Sequence, residues 1–319
     1  MSREEAWTPS TVAIVGAGSI GVAFAIVFAR AGFSVQVQDP NAERRAAAPQ
    51  EIAARLADLA EFGLLQEAAP RILDRVMFTA ELAEVVAGAD LVQECAPERL
   101  KVKRQLFAEL DRLAPPSAVL ASSSSAIRPS AIAADLPGQA RCLVAHPGNP
   151  PYLLSVIEIV PAVFTSTEAI SRTAQVFEHA GMTPILVRKE VEGFVFNRLQ
   201  GALLREAYCL VRDGVASVED IDRIVRDGLG LRWSVIGPFE TADLNTRGGI
   251  ASHAEKMGPA YARMGAERGQ NDPWTPELVG RVEQERRARL PLDHWAERVA
   301  WRDRMLMAML ECRRRHNLP

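Results

Sequence analysis

The chain has 319 residues, 48% of them hydrophobic and 24% charged, with a formal net charge of −3. That length can bury a sizeable core as one large domain or two ordinary ones, and the near-balanced charge gives no reason to expect nucleic acid or an anionic membrane as a partner. The four cysteines, Cys95, Cys142, Cys209 and Cys312, have no paired spacing, so neither zinc (or any other metal) nor a disulfide framework is indicated.

The opening residues, MSREEAWTPS, are polar and lack the apolar core of a signal peptide, which with unpaired thiols places the protein in the cytoplasm. From Thr11 to Asp39 the sequence reads TVAIVGAGSIGVAFAIVFARAGFSVQVQD. An apolar strand runs into Gly16, Gly18 and Gly21, a small-residue helix reaches Ala31, and a second strand over 33–38 ends on Asp39. This is the order of a dinucleotide-binding unit. Gly16 permits the tight turn, Gly18 lets backbone approach a pyrophosphate, and Gly21 lets helix and strand pack closely. Asp39 stands where a carboxylate accepts from the ribose hydroxyls of adenosine. The stretch Val12–Phe28 is apolar enough to suggest a membrane helix, but three glycines within six positions and no basic flank argue against a span.

Beyond Asp39 the pattern predicts a helix over 41–65 with Ile52, Leu56, Leu59 and Phe62 on its buried stripe. Strands follow at 75–79, 90–95, 119–122, 140–146, 155–160 and 184–187, separated by helices at 80–87, 98–113 and 167–180. Such alternation predicts an α/β fold, a Rossmann-like, mostly parallel sheet with helices on both faces. From Val191 only helical patterns remain, at 194–214, 217–227, 249–264, 276–289 and 293–315. The expected boundary therefore lies near Lys189, between a dinucleotide-binding domain (1–189) and an all-helical domain (190–319). The first helix of the second part is apolar enough either for a dimer interface or for a central core position.

Hydride transfer at a dinucleotide site needs a group that exchanges a proton with an alcohol or carbonyl, and histidine suits because its ordinary pKa lies near neutrality. Of five histidines, His179 sits at a helix end, and His253, His294 and His316 lie on polar helical or tail segments. His146 instead ends the strand RCLVAH, just before PGNPPYLL, at the kind of strand end where open α/β sheets bind ligands. Glu158 lies inside the apolar strand SVIEIV, where a carboxylate is costly unless paired. If both strands flank one crevice, Glu158 can hold one ring nitrogen of His146 and leave the other for substrate. Ser125 closes a run of four serines at another strand end, where its hydroxyl can hold a substrate oxygen. That run is equally explained as a loop that lets backbone or cofactor approach closely.

The strings GAGSIG, QECAPERLKVK, SSSSAIRPS, VAHPGNPPY, IEIVP, VRKEVEGFVFNRLQ and GLGLRWSVIGPFET, in order from Gly16 to Thr241, resemble the 3-hydroxyacyl-CoA dehydrogenase family. The likeness is greatest to its lambda-crystallin branch, which is similar to L-gulonate 3-dehydrogenase. The resemblance implies a Rossmann-like domain, a helical C-terminal domain that makes a homodimer, and NAD bound between them. It also implies that His146 is the catalytic acid/base, Glu158 its partner, Ser125 the substrate-hydroxyl contact and Asn197 a group that orients substrate. Ser19, Ile20, Asp39, Glu98 and Lys103 match its cofactor contacts. The carboxylate of Asp39 disfavours a 2′-phosphate, and Arg44 and Arg45, expected on a solvated helix, weaken that only slightly.

Two departures bear on the substrate. Pro147 and Gly148 replace the aromatic pair that follows the histidine in the acyl-CoA enzymes. The helix that carries CoA-binding lysines there reads Glu51, Asp58 and Glu61 against Arg55 here. The expectation is therefore a small polar 3-hydroxy acid, oxidised at C3, whose carboxylate is met by Arg232 in GLRWS. The alternatives are 3-hydroxyacyl-CoA or carnitine as substrate, and a non-catalytic crystallin-like structural role.

Overall fold

The computed structural model describes residues 10–269 and 275–298, together with Trp301, Met305, Ala308, Met309, Cys312 and Arg315. The chain divides after Leu203 into two compact units.

The first unit is built on strands β1 (Thr11–Val15), β2 (Ser34–Gln38), β3 (Val76–Thr79), β4 (Leu91–Glu94), β5 (Val119–Ser122), β6 (Cys142–Pro147), β7 (Val156–Pro161) and β8 (Thr183–Leu186). They form one sheet in the order β3-β2-β1-β4-β5-β6-β7-β8. Every pairing is parallel except β6 with β7. The helices of this unit are α1 (Ser19–Arg30), α2 (Ala42–Glu61), α3 (Ala69–Leu73), α4 (Leu82–Val86), α5 (Leu100–Leu113), α6 (Pro129–Ala133) and α7 (Thr167–His179), followed by the start of α8 (Phe196–Arg212).

A parallel strand covered on both faces must be apolar throughout, and β1 is buried from Val12 to Val15. Ile14, Leu91 and Leu143 pack on one face with Phe24, Phe28, Ile52, Leu56 and Phe177. Val15, Val92, Leu120 and Val144 pack on the other with Phe107, Leu110 and Phe194. The stretch that resembled a membrane span is thus a strand, a turn and a helix with Gly21–Ala29 buried. Among the described residues no helix is long and apolar enough to cross a membrane.

The expected stripe on α2 holds at Ile52, Leu56 and Leu59, but Phe62 is 72% exposed. The helix proper ends at Glu61, so Phe62 falls at its C-cap and turns outward ahead of Gly63, whose φ is +69°. The short helix α3 begins with Pro70 in its first turn, a position that proline tolerates because that N–H has no partner within the helix.

The second unit holds the rest of α8, then α9 (Val218–Arg223), a seven-residue π-helical run Ile224–Gly230, α10 (Leu231–Trp233), α11 (Pro238–Asn245), α12 (Gly249–Glu267) and α13 (Pro276–Arg289). Its internal anchor is Asp243, fully buried on α11. The carboxylate accepts from Ile250 N at 2.8 Å and from the guanidinium groups of Arg286 and Arg287. The helix expected over 293–315 begins with the 3-10 turn Leu292–His294. Most of its remainder, and His316, lies outside the described residues.

Candidate active site

The strand order reverses between β1 and β4, and crevices form at such a point beyond the carboxyl ends of the strands. The glycine turn occupies the end of β1. Gly16 has φ +105°, which only glycine adopts easily, and a Cβ on it would lie 2.9 Å from Cys95 O. A Cβ on Gly21 would sit 1.9 Å from Gly16 O, so this glycine is what lets α1 close on the turn. A Cβ on Gly18 would meet nothing within 4 Å, and no side chain caps the first turn of α1, at Ser19 and Ile20. Unfilled space and uncapped N–H groups at a helix start fit a dinucleotide pyrophosphate. Asp39 follows β2, aimed by bonds from Ala17 N (2.8 Å) and Asn41 N (2.9 Å).

Arg44 is partly exposed but not loose: its guanidinium donates to Ala17 O at 2.7 Å and to Glu51 at 2.7 Å, reaching back to the glycine turn. Arg45 donates to Asp39 O at 2.8 Å. Both cations are engaged beside Asp39 rather than held out toward a 2′-phosphate.

The antiparallel pairing of β7 with β6 sets His146 directly opposite Glu158 in the register. Both are buried, and His146 Nδ1 lies 2.8 Å from Glu158 Oε2. The second oxygen, Oε1, accepts from Val195 N at 2.7 Å and Phe196 N at 2.9 Å. Burial pushes this carboxyl up, but the bonds from His146, Phe196 and Val195 outweigh it and hold Glu158 below the usual carboxylate range. The ionised carboxylate accepts only, so Nδ1 carries the proton and Nε2 presents a lone pair.

The donors at 195 and 196 are aimed by a tight backbone turn. Gly193 has φ +72° and Phe194 φ +50°, a left-handed conformation uncommon outside glycine. Phe194 is fully buried with its ring centroid 5.6 Å from that of His146. A non-glycine residue held there costs on the order of 1–3 kcal/mol and persists only where surrounding packing enforces it.

The turn leads into α8, where Asn197 Nδ2 donates to Ser125 O at 2.9 Å. Ser125 N donates in turn to Glu98 Oε1 at 3.0 Å, as do Ala126 N and Ser124 Oγ. Burial raises the Glu98 carboxyl, and the Ser124 bond with Lys103 more than reverses this, leaving it lowered. Lys103 is itself buried, its Nζ 2.9 and 3.0 Å from the two oxygens of Glu94 and 3.4 Å from Glu98. The structure therefore joins His146 to Glu158, Glu158 to the backbone N–H groups just before Asn197, and Asn197 through the Ser125 backbone to Glu98 and Lys103.

Glu94, at the end of β4, was not singled out by sequence. It is fully buried and accepts from Lys103, Ser122 Oγ and Ala96 N. The signal was available, because a carboxylate inside the apolar strand DLVQEC is the same anomaly that marked Glu158 in SVIEIV. Burial pushes the Cys95 thiol up to about 12, which disfavours its thiolate.

Arg232 belongs to the second unit, in α10, where its Nε has no hydrogen-bond partner. It lines a cavity that also includes His253, a residue expected to be a plain helical-surface histidine. His179 ends α7 with its ring edge-on to Phe33, and His294 pairs with Glu297. Among the described residues no cluster of His, Cys, Asp or Glu could hold a metal ion.

Comparison with known proteins gives a consistent result. Residues 11–191 match the model of the NAD binding domain of 3-hydroxyacyl-CoA dehydrogenase, and residues 193–288 match that of its C-terminal domain. A lambda-crystallin homolog of Bos taurus is 38% identical over 315 residues, covering 98% of this chain and 97% of its own. An L-carnitine dehydrogenase of Streptomyces griseus is 39% identical over 272 residues, covering 84% of this chain and 78% of its own. Among solved structures, a 3-hydroxybutyryl-CoA dehydrogenase of Escherichia coli K12 is similar, with a TM-score of 0.66 and 32% identity over 80% of this chain and 53% of that one.

Proposed function

The chain belongs to the 3-hydroxyacyl-CoA dehydrogenase family and binds NAD, and from that membership we propose that it oxidises the 3-hydroxyl of a small free hydroxy acid, L-gulonate-like, to the ketone. The observation that carries the reading is the buried pair His146–Glu158, with the second carboxylate oxygen fixed by two backbone N–H groups. NAD held at the glycine turn and Asp39 would supply the acceptor for the hydride of C3. The residues of the chain manage the proton: His146 Nε2 takes it from the hydroxyl, and Glu158 stabilises the resulting imidazolium while holding the ring in place. Ser125 is assigned the substrate oxygen. Asn197, tied to Ser125 O, orients substrate, and Glu98 and Lys103 brace the serine turn beside the cofactor.

A free acid is favoured over a CoA ester by the face of α2. Arg55 is its cation in the stretch 51–66, and it is occupied, 4.0 Å from Glu51 and 5.8 Å from the centroid of the Tyr152 ring. Little there would meet a polyanionic handle. The alternative substrates, carnitine and 3-hydroxybutyryl-CoA, rest on the likeness to dehydrogenases of those compounds. We assign the protein to the cytoplasm as a homodimer through its C-terminal helices. Supporting the dimer, α8 buries no residue and exposes Leu199, Leu203, Leu204 and Tyr208.

Relative kcat/KM for L-gulonate, carnitine and 3-hydroxybutyryl-CoA tests the substrate. Gulonate should lead, and a lead for the thioester overturns the free-acid reading. No turnover with any hydroxy acid would favour the crystallin-like role. Sedimentation at micromolar concentration should show a dimer.

A further inference from the structure

β6 runs on to Pro147, but its pairing with β5 ends where Ser122 stands opposite Val144. Ala145, His146 and Pro147 therefore have β7 on one side and no strand partner on the other. The chain after β5 does not serve that free side, because Ser124 N turns back to the Ser122 hydroxyl at 3.2 Å. The group found there comes from two strands away. Gln93 of β4 stands opposite Ala121, which stands opposite Leu143, and Gln93 Nε2 donates to Ala145 O at 3.2 Å. Ala145, two residues past Leu143, lies on the same face of the sheet, and the β5 residue between them on that face is only an alanine.

Gln93 is fully buried, and its register partners Ile14 and Ala121 belong to the apolar core of that face. Its Oε1 has no hydrogen-bond partner among the described residues. An amide satisfied at one end only is a poor choice for stability, since an unpaired buried acceptor carries a desolvation cost that an apolar side chain of similar size would not. The one bond it makes is therefore what needs explaining. That bond falls on the peptide unit joining Ala145 to His146. The unit is planar, so holding Ala145 O also fixes the nitrogen and Cα of His146.

We propose that Gln93 is a positioning residue, holding the overhanging end of β6 so that the His146 imidazole keeps its place 2.8 Å from Glu158. Glu158 and the backbone at 195 and 196 hold the ring from its Nδ1 side, whereas Gln93 holds the main chain that carries it. The consequence for rate rests on the assignment of proton transfer to His146.

Gln93→Met keeps the length of the side chain and removes the amide. Its kcat for the hydroxy acid should fall about tenfold, with KM and NAD affinity within about twofold and the melting temperature unchanged or raised. In proton NMR of the full chain, the His146 Nδ1 proton is identified by its loss in His146→Gln. It should exchange with water about tenfold faster in Gln93→Met, because the strand end that carries the ring opens more readily. Gln93→Asn, with its amide one methylene shorter, should match Gln93→Met in kcat and in exchange, and it carries the test if Gln93→Met fails to fold. A lowered melting temperature with kcat and proton exchange unchanged makes Gln93 a structural residue only and overturns the proposal. The NMR measurement needs no turnover. If the unsubstituted protein oxidises no hydroxy acid, the functional reading fails while the exchange rate still decides the positioning, and unchanged exchange in the variants overturns it.

Discussion

Two buried carboxylates of one sheet, Glu158 within β7 and Glu94 at the end of β4, have different partners. Glu158 faces the imidazole of His146, and its second oxygen is held by backbone. Glu94 faces Lys103, buried as deeply as itself, and Lys103 in turn reaches Glu98, which holds the serine turn. Equal burial thus gives a carboxylate on an imidazole in one case, the pair to which the proposed function assigns proton transfer, and a carboxylate on an ammonium in the other. The partner decides: an imidazole leaves a second nitrogen facing outward, whereas this ammonium has donors to Glu94, Glu98 and Ala96 O and nothing left to offer substrate.

The sharpest test of that contrast is in rate. His146→Gln should lower kcat by about a thousandfold or more, the range of a lost general base, while NAD affinity measured by fluorescence stays within a few fold. Glu158→Gln should fall nearly as far, and the double variant no further than His146→Gln alone, because the two act as a unit. A Glu158→Gln enzyme with normal kcat and a lowered melting temperature would reduce that pair to a second brace.

Glu94→Gln should read out in stability instead. It strands the Lys103 ammonium in the interior, and breaking a buried pair from one side costs about 3–5 kcal/mol. The lower end is expected because Glu98 Oε2 remains 3.4 Å from Nζ. Replacing both partners, Glu94→Gln with Lys103→Met, should recover most of the loss in urea unfolding. If the double variant is no more stable than the single one, the brace reading fails.

The two carboxylates also separate along the pH axis. Glu158 titrates below its ordinary value in the folded protein, so the unfolded chain binds more protons in the acid range. Its contribution to stability is complete above the unfolded value, about 4.3, and is lost as pH falls through the folded one. Glu158→Gln should flatten that acid limb of stability against pH, measured by urea unfolding between pH 6 and pH 3. An unchanged limb would mean that the hydrogen bonds do not favour the charged form.

The sheet and the contact of His146 with Glu158 were legible because each rests on a local anomaly or a simple period. Alternating strands and helices give the parallel order, and a carboxylate in SVIEIV is visible without coordinates. Glu94 was equally visible, but its cation stands nine residues on, across a turn, where the string PERLKVK suggested cofactor contact rather than burial. Helical spacing places Arg44 on a partly wet face, as found, but its reach back to Ala17 was not legible because it depends on how α2 packs beside the glycine turn. The left-handed Phe194 gave no warning at all, since no propensity puts a phenylalanine there.

The smallest effect concerns Gly18, and it tests whether the glycine turn divides as the carboxylates do. Gly21 serves the fold, since its Cβ would strike the Gly16 carbonyl. Gly18 has φ −69° and open space above it, a conformation alanine adopts freely. Gly18→Ala should therefore change stability by no more than about 0.5 kcal/mol, lower unfolded-state entropy offsetting a poorer helix cap. The added methyl occupies the space through which a pyrophosphate reaches the uncapped N–H groups, so NAD affinity should fall about tenfold, or about 1.4 kcal/mol. Paired titrations of NAD and urea on one variant decide it. A large stability loss with unchanged NAD binding would make Gly18 a structural glycine like Gly21, and the opening above it irrelevant to the cofactor.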